Sequence, residues 1–294
     1  MMELFADKGK WYKGNLHTHT SLSDGRLSPD EAVAVYKAKG YDFMALTDHW
    51  VQSRTEQKNG MLMISGCEFD TGDMVNMRIF HIIGVGMKCP VQLEHNVMNA
   101  PQVLIDAVLA AGGEAILAHP CWSVMDPADI NKIHGICGAE IFNSTSDLPV
   151  NGRRADSGVY FDMWGTDGRF VNCMAADDSH QYAGEQTRSF IMVNATALSR
   201  DAIMQSLHDG NYYASQGPLI DSVTFDVNKV KIKCPKVETV VFYSNTVWCE
   251  DRVFTGGVEE AEYIIKDTDK YVRIELIDDK GRMAWTSPVA VNVG

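Results

Sequence analysis

Apolar and polar positions divide the chain into two textures. Through about residue 215, short and nearly continuous apolar runs such as FMALT, MLMISGC, IFHIIGVG, AILAHP and NCMAA alternate with stretches of helical character. Runs of this kind are expected for strands covered on both faces, and strand-helix-strand succession argues for parallel pairing. The clearest helix is predicted over 28–40, with Ser28 as N-cap, Pro29 in the first turn, Asp30 and Glu31 at the positive end and Gly40 as a stop. Ala32, Val33, Val35 and Tyr36 supply its packing stripe. Further helices are predicted over 101–111, 127–134 and 199–209. Beyond Leu219 the pattern changes to alternation, as in TFDVNKVKIKC, ETVVFYS and KYVRIELIDD. In YVRIELI, Val272, Ile274 and Leu276 share one face while Tyr271, Arg273 and Glu275 share the other. These textures predict an α/β unit over 1–215 and a small antiparallel β-sandwich over 216–294, with the junction in 210–218.

Composition narrows the possibilities. The chain has 294 residues, 45% of them hydrophobic, which is enough to bury a core in each unit. Its formal charge of −13 argues against nucleic-acid binding through a basic surface. Seven cysteines without a CxxC pair read as reduced thiols, and the first residues lack an apolar leader. The expectation is a cytoplasmic protein without a membrane anchor and with a small-molecule partner.

The histidines add chemistry. In GNLHTHTSLSDG, His17 and His19 leave a strand-like segment on the same side, and Asp24 follows in a Ser/Asp/Gly turn. Later apolar runs end similarly: Asp48 and His49 after FMALT, Glu68 after MLMISGC, His81 within IFHIIGVG, His119 in AILAHP, and Asp177, Asp178 and His180 in ADDSH. Imidazoles and carboxylates gathered at strand ends are natural ligands for divalent cations. His95, His134 and His208 fall outside this pattern and read as structural.

With HTHTSLSDG, TDH, a Glu followed by two separated histidines, and DSH in this order, the chain resembles the PHP (polymerase and histidinol phosphatase) family over roughly residues 13–215. The resemblance implies a distorted (β/α)7 TIM-like barrel whose trinuclear centre hydrolyses phosphate esters. The implied ligands are His17, His19, Asp24, His49, Glu68, His81, His119, Asp178 and His180. One ion would rest on His17, His19, Glu68 and Asp178, a second on Glu68, His81 and His119, and a third on Asp24, His49 and His180. Glu68 is the expected bridge, because a carboxylate has two oxygens to share. Nitrogen and oxygen ligands suit zinc, manganese or iron. A metal-bridging hydroxide would attack phosphorus in a small phosphorylated substrate, a phosphomonoester being preferred because the chain has no basic track for a polymer.

Several residues carry less specific expectations. Asp48 and Asp177, beside ligands, are expected to accept hydrogen bonds from ligating imidazoles, or else to handle a proton. Arg153, Arg154 and Arg188 are candidate phosphate contacts, and Trp122 could stack on a base or sugar. Two other functions remain open: an amidohydrolase-type hydrolase, which also begins with His-x-His, and a noncatalytic metal-binding barrel whose β unit docks a partner.

Overall fold

The computed structural model describes residues 2–5, 9–73, 79–248 and 250–291. Ser28 caps the Pro29–Lys37 helix: its hydroxyl accepts from the Glu31 amide, and the Glu31 carboxylate accepts from the Ser28 amide. This reciprocal cap, with Ala32, Val33 and Tyr36 buried beneath it, fixes the helix over the following strand. Helices Pro101–Ala110, Pro127–Ile130 and Arg200–His208 form within their predicted stretches. A further helix, Gly158–Thr166, was hidden by its two glycines. One of them is required by packing, since a Cβ on Gly165 would stand 2.7 Å from the Tyr271 ring.

The strands do not close into a barrel, and the expectation of a (β/α)7 TIM-like barrel is corrected. Among the described residues they form two mixed sheets, one of 13 strands and one of 5. A closed barrel needs every strand laddered to both neighbours with a consistent stagger. Here the joins between the sheets that flank the site are single bridges, Thr18 with Ser179 and His49 with Glu68. Pairing direction also breaks the pattern. Phe80–Val85 runs antiparallel to both Gly66–Thr71 and Glu114–Leu117, and Lys10–Asn15 runs antiparallel to Phe190–Ala195. The parallel pairs among the described strands are Phe43–Ala45 with Lys10–Asn15 and with Met61–Ile64, and Ile136–Asn143 with Glu114–Leu117 and with Cys173–Ala176.

The division between the sheets falls inside a single apolar run. MLMISGCE reads as one strand, but Met61–Ile64 belongs to the larger sheet and Gly66–Thr71 to the smaller one. Ser65 stands at the crossing, its hydroxyl donating to the Met87 carbonyl at 2.8 Å. Gly66 permits the close approach, because a Cβ there would lie 2.7 Å from the Leu46 carbonyl oxygen.

The alternating C-terminal strands are antiparallel, as their pattern predicts, but the separate sandwich is also corrected. Ser222–Asp226, Lys229–Tyr243, Tyr271–Ile277 and Met283–Trp285 continue the larger sheet, which reaches the site through the Ala214–Trp285 and Ser215–Ala284 pairs. Side chains tie this region to the helix beside it. The buried Arg273 guanidinium donates to both Asp162 oxygens at 2.7 Å and lies 3.8 Å over the Tyr243 ring. The six described cysteines are free, and Cys249 lies outside the described residues. No helix among the described residues is long and apolar enough to cross a membrane.

Candidate metal centre

All nine acids and imidazoles singled out in the sequence meet at the junction of the two sheets. His17 and His19 emerge just past the Lys10–Asn15 strand, both fully buried, with their Nε2 atoms 3.2 Å apart. Asn15 holds this exit by donating to the His17 carbonyl at 3.1 Å and the Thr18 hydroxyl at 2.6 Å. The chain then doubles back, and Gly25 donates to the Thr20 carbonyl at 2.9 Å. Only glycine fits there, since a Cβ would stand 2.4 Å from the His19 carbonyl carbon. The tight turn delivers Asp24 to within 3.5 Å of His19 Nδ1 and 3.4 Å of His180 Nε2.

Glu68 occupies the middle. Its Oε1 lies 3.3 Å from His17 Nε2, 2.8 Å from His81 Nδ1 and 3.5 Å from His119 Nε2, while Oε2 lies 3.1 Å from His19 Nε2 and 3.4 Å from His49 Nδ1. Asp178 Oδ1 stands 3.0 Å from His17 Nε2 and 3.1 Å from His19 Nε2. Two of the nine, His119 at φ 28° and Asp178 at φ 55°, have left-handed backbone, a conformation that costs energy away from glycine and persists where surroundings enforce it.

The donor atoms fall into three groups, each compact enough to hold one metal ion: His17, His19, Glu68 and Asp178; Glu68, His81 and His119; and His19, Asp24, His49 and His180. The chemistry of the set fits divalent cations with nitrogen and oxygen ligands. Two buried atoms point the same way: Asp178 Oδ1, wedged between the His17 and His19 Nε2 atoms, and His49 Nδ1, 3.4 Å from Glu68, lie close to other donor atoms without well-aligned hydrogen bonds.

Without a cation the charges lean on each other. Burial would push the Glu68 carboxyl up, but His17, His81 and His119 outweigh it and hold it well below the usual range. Asp178 is likewise held well below its usual range, His17 and His180 overcoming burial. The imidazoles respond in kind. Burial disfavours a charged His19, yet hydrogen bonds and attraction from Asp178 and Glu68 raise it to about 9. His17 rises well above its ordinary value, Asp178, Glu68 and Glu140 overcoming burial. His49 moves down, with burial first and repulsion from His19 and His81 outweighing the pull of Glu68 and Asp24.

Asp48 and Asp177 find partners other than the ligating imidazoles. Asp48 accepts from the Thr20 amide and hydroxyl at 2.7 Å and from the Ser23 hydroxyl at 2.8 Å, which braces the Asp24 turn. Asp177 accepts from Tyr36, Ser144 and the amides of Thr187, Arg188 and Ser189. Burial nevertheless pushes its carboxyl up to about 6. The carboxylate outside the nine that stands closest to a ligand imidazole is Glu140, whose Oε1 is 2.7 Å from His17 Nδ1. Its signal in the sequence was a lone acid inside the apolar strand GAEIFN.

The ligand groups floor a cavity of about 330 Å³, walled by Trp122, Thr145, Ser146, Leu148, Val150 and Asn151. Arg153 and Arg154 are exposed just beyond Asn151 and outside the lining, and Arg188 pairs with Asp147 at 2.8 Å. Trp122 packs edge-on against His119 at 4.8 Å between centroids. Glu185 was also missed. Its buried carboxylate accepts from the amides of Gln181, Tyr182 and Ala183 at 2.6–2.9 Å and shapes the loop after His180.

No protein-family model and no curated protein matches the chain. Among solved structures, a two-domain protein from Bacteroides vulgatus containing a predicted PHP-like metal-dependent phosphoesterase aligns over 96% of both chains, with 16% identity and a TM-score of 0.55. An amidohydrolase from Chromobacterium violaceum, with bound sulfate and no metal, aligns over 58% of this chain and 89% of its own, at 15% identity and a TM-score of 0.43. Similarity at the first level establishes the fold. The chain has a PHP-like fold bearing three clusters of His, Asp and Glu able to coordinate metal ions.

Proposed function

We propose that the chain is a metal-dependent phosphoesterase acting on a small phosphomonoester. The observation that carries this reading is Glu68, a buried carboxylate whose two oxygens are shared among five imidazoles, so that neighbouring ion sites have one ligand in common. His17, His19, Glu68 and Asp178 would hold one divalent ion, Glu68, His81 and His119 a second, and Asp24, His49 and His180, with His19, a third. Zinc, manganese and iron all suit this donor set. Bound there, such ions supply Lewis-acid polarisation of phosphate oxygens and make a water acidic enough to attack at neutral pH.

The protein's own groups do the rest. Leu148 and Trp122 wall the cavity and present apolar surface beside the phosphorus. Asn151 and Gln181 lie on the lining, where amide groups can orient ester oxygens. Arg153 and Arg154, at the exposed end of the same wall, attract the anion toward the mouth. Asp178 takes part as a ligand, and Asp177 holds the 187–189 backbone behind it. Residues 1–215 carry the chemistry, and 216–294 form a supporting antiparallel unit. The size of the cavity favours a compact monoester over a polymer, and the net negative charge of the chain agrees. The PHP-like fold shared with the Bacteroides protein supports the same reaction class.

Turnover assays of metal-stripped and manganese-, zinc- or iron-reloaded protein against phosphomonoesters, phosphodiesters and amides test this reading. Metal-dependent release of phosphate from monoesters is expected. Hydrolysis of amides alone would overturn it.

A further inference from the structure

Glu140 sits where an acid is expensive. It lies on the Ile136–Asn143 strand between the buried Ala139, Ile141 and Phe142, and its own side chain is 1% exposed. A carboxylate in such surroundings persists only when donors satisfy it. Three do. His17 Nδ1 is 2.7 Å from Oε1, while the His119 amide and Asn143 Nδ2 donate to Oε2 at 2.9 and 2.8 Å. Asn143 Nδ2 also reaches Asp178 Oδ2 at 3.2 Å.

We propose that Glu140 is a positioning residue that locks His17 in the tautomer whose Nε2 is free to ligate, and that it ties the two buried metal groups together through His17, His119 and, by way of Asn143, Asp178. This rests on the reading that those groups hold metals. Among the described residues, Glu140 makes no hydrogen bond or ion pair with Asp24, His49 or His180. Those residues have their own supports: the Ser23–Asp48 hydrogen bond beneath the Asp24 turn, and the His180 Nδ1 bond to the Asp178 carbonyl at 2.7 Å. Glu140 therefore acts on two of the three groups.

The chemistry requires an acid and not merely a polar group of that shape. Both carboxylate oxygens accept. A glutamine offers one oxygen and one NH2. If its oxygen faces the His119 amide and Asn143, its NH2 faces His17 Nδ1, and the imidazole is satisfied only by moving its proton to Nε2. That tautomer cannot ligate through Nε2. Glu140→Gln thus keeps the size of the side chain while directing His17 into the wrong form. Aspartate keeps both acceptors at a shorter reach.

The test is manganese titration of the metal-stripped 294-residue protein, with free Mn²⁺ read by electron paramagnetic resonance, alongside ring-nitrogen chemical shifts of metal-free ¹⁵N-histidine protein at alkaline pH, where the imidazoles are neutral. Glu140→Gln should melt near the wild type when metal-free and weaken the tight class of Mn²⁺ sites about 10–100-fold. It should leave the weak class unchanged and move the His17 ring shifts toward the Nε2–H tautomer. Glu140→Asp should recover most of the lost affinity. Wild-type affinity in every class for Glu140→Gln, or an equal loss in all classes, would overturn the assignment. If Glu140→Gln does not fold, Glu140→Asp decides, because a partial loss spread evenly over all classes is equally fatal. If the wild type takes up no Mn²⁺, the metal reading fails separately. The tautomer measurement still decides the role of Glu140, and unchanged His17 shifts in Glu140→Gln would refute it.

Discussion

The buried ligand groups and the group at the cavity mouth are made of the same residue types but stand in different solvent. The side chains of His17, His19 and Glu68 are at most 1% exposed, whereas Asp24 is 55%, His49 25% and His180 21% exposed. Buried acids and imidazoles cannot be rehydrated when a cation leaves, so each must then find a proton or a partner. Those at the mouth can turn to water. The comparison teaches that the same donor types meet different solvent a few ångströms apart, so a cation held at the buried groups would exchange more slowly than one at the mouth.

The comparison breaks most visibly at Glu68. Glu68→Ala should remove metal from both buried groups and lower kcat/KM for a phosphomonoester by about a thousandfold, since a bound ion supplies several kcal/mol of transition-state stabilisation. Metal content and kinetics on the same preparation check it. A smaller effect is expected at the mouth. Asp24→Asn should weaken only the most loosely held ion and reduce turnover about tenfold, and excess Mn²⁺ should recover part of the loss.

The pH dependence of the metal-free protein sharpens the contrast. His19 is raised in the folded state from about 6.5 to about 9, so its contribution to stability is fully present below 6.5 and is lost as pH rises through 9. The melting temperature of stripped protein should therefore fall between about pH 6.5 and 9. Loaded protein should resist this loss, because ligation already holds the imidazoles unprotonated. Calorimetry at several pH values distinguishes the two. The smallest effect belongs to the exposed rim, where Arg153→Ala or Arg154→Ala should raise KM a few-fold at low ionic strength and leave metal uptake unchanged.

Much of the site was legible because its residues break the patterns around them. His17 and His19 share a face by strand periodicity, and His49, His119 and Asp178 follow apolar runs that could only be buried strands. The partition into two sheets was not legible, because the crossing at Ser65 lies within an unbroken apolar run and the alternation of strands and helices does not record pairing direction. Glu140 was visible as an acid in a buried strand, but its partners His17 and His119 lie 123 and 21 residues away. The roles of Asp48 and Asp177 depended on which donors the fold brings to them. Hydroxyls and loop amides do so, and neighbouring residues in sequence do not reveal that.

The central claim is that these nine side chains form one cage for divalent cations. Elemental analysis of stripped protein reloaded with manganese and freed of excess metal tests it most directly. The account predicts stoichiometric uptake from which Glu68→Ala removes the ions of both buried groups while the fold, followed by circular dichroism, is retained. A folded wild type with less than one ion per chain would contradict it.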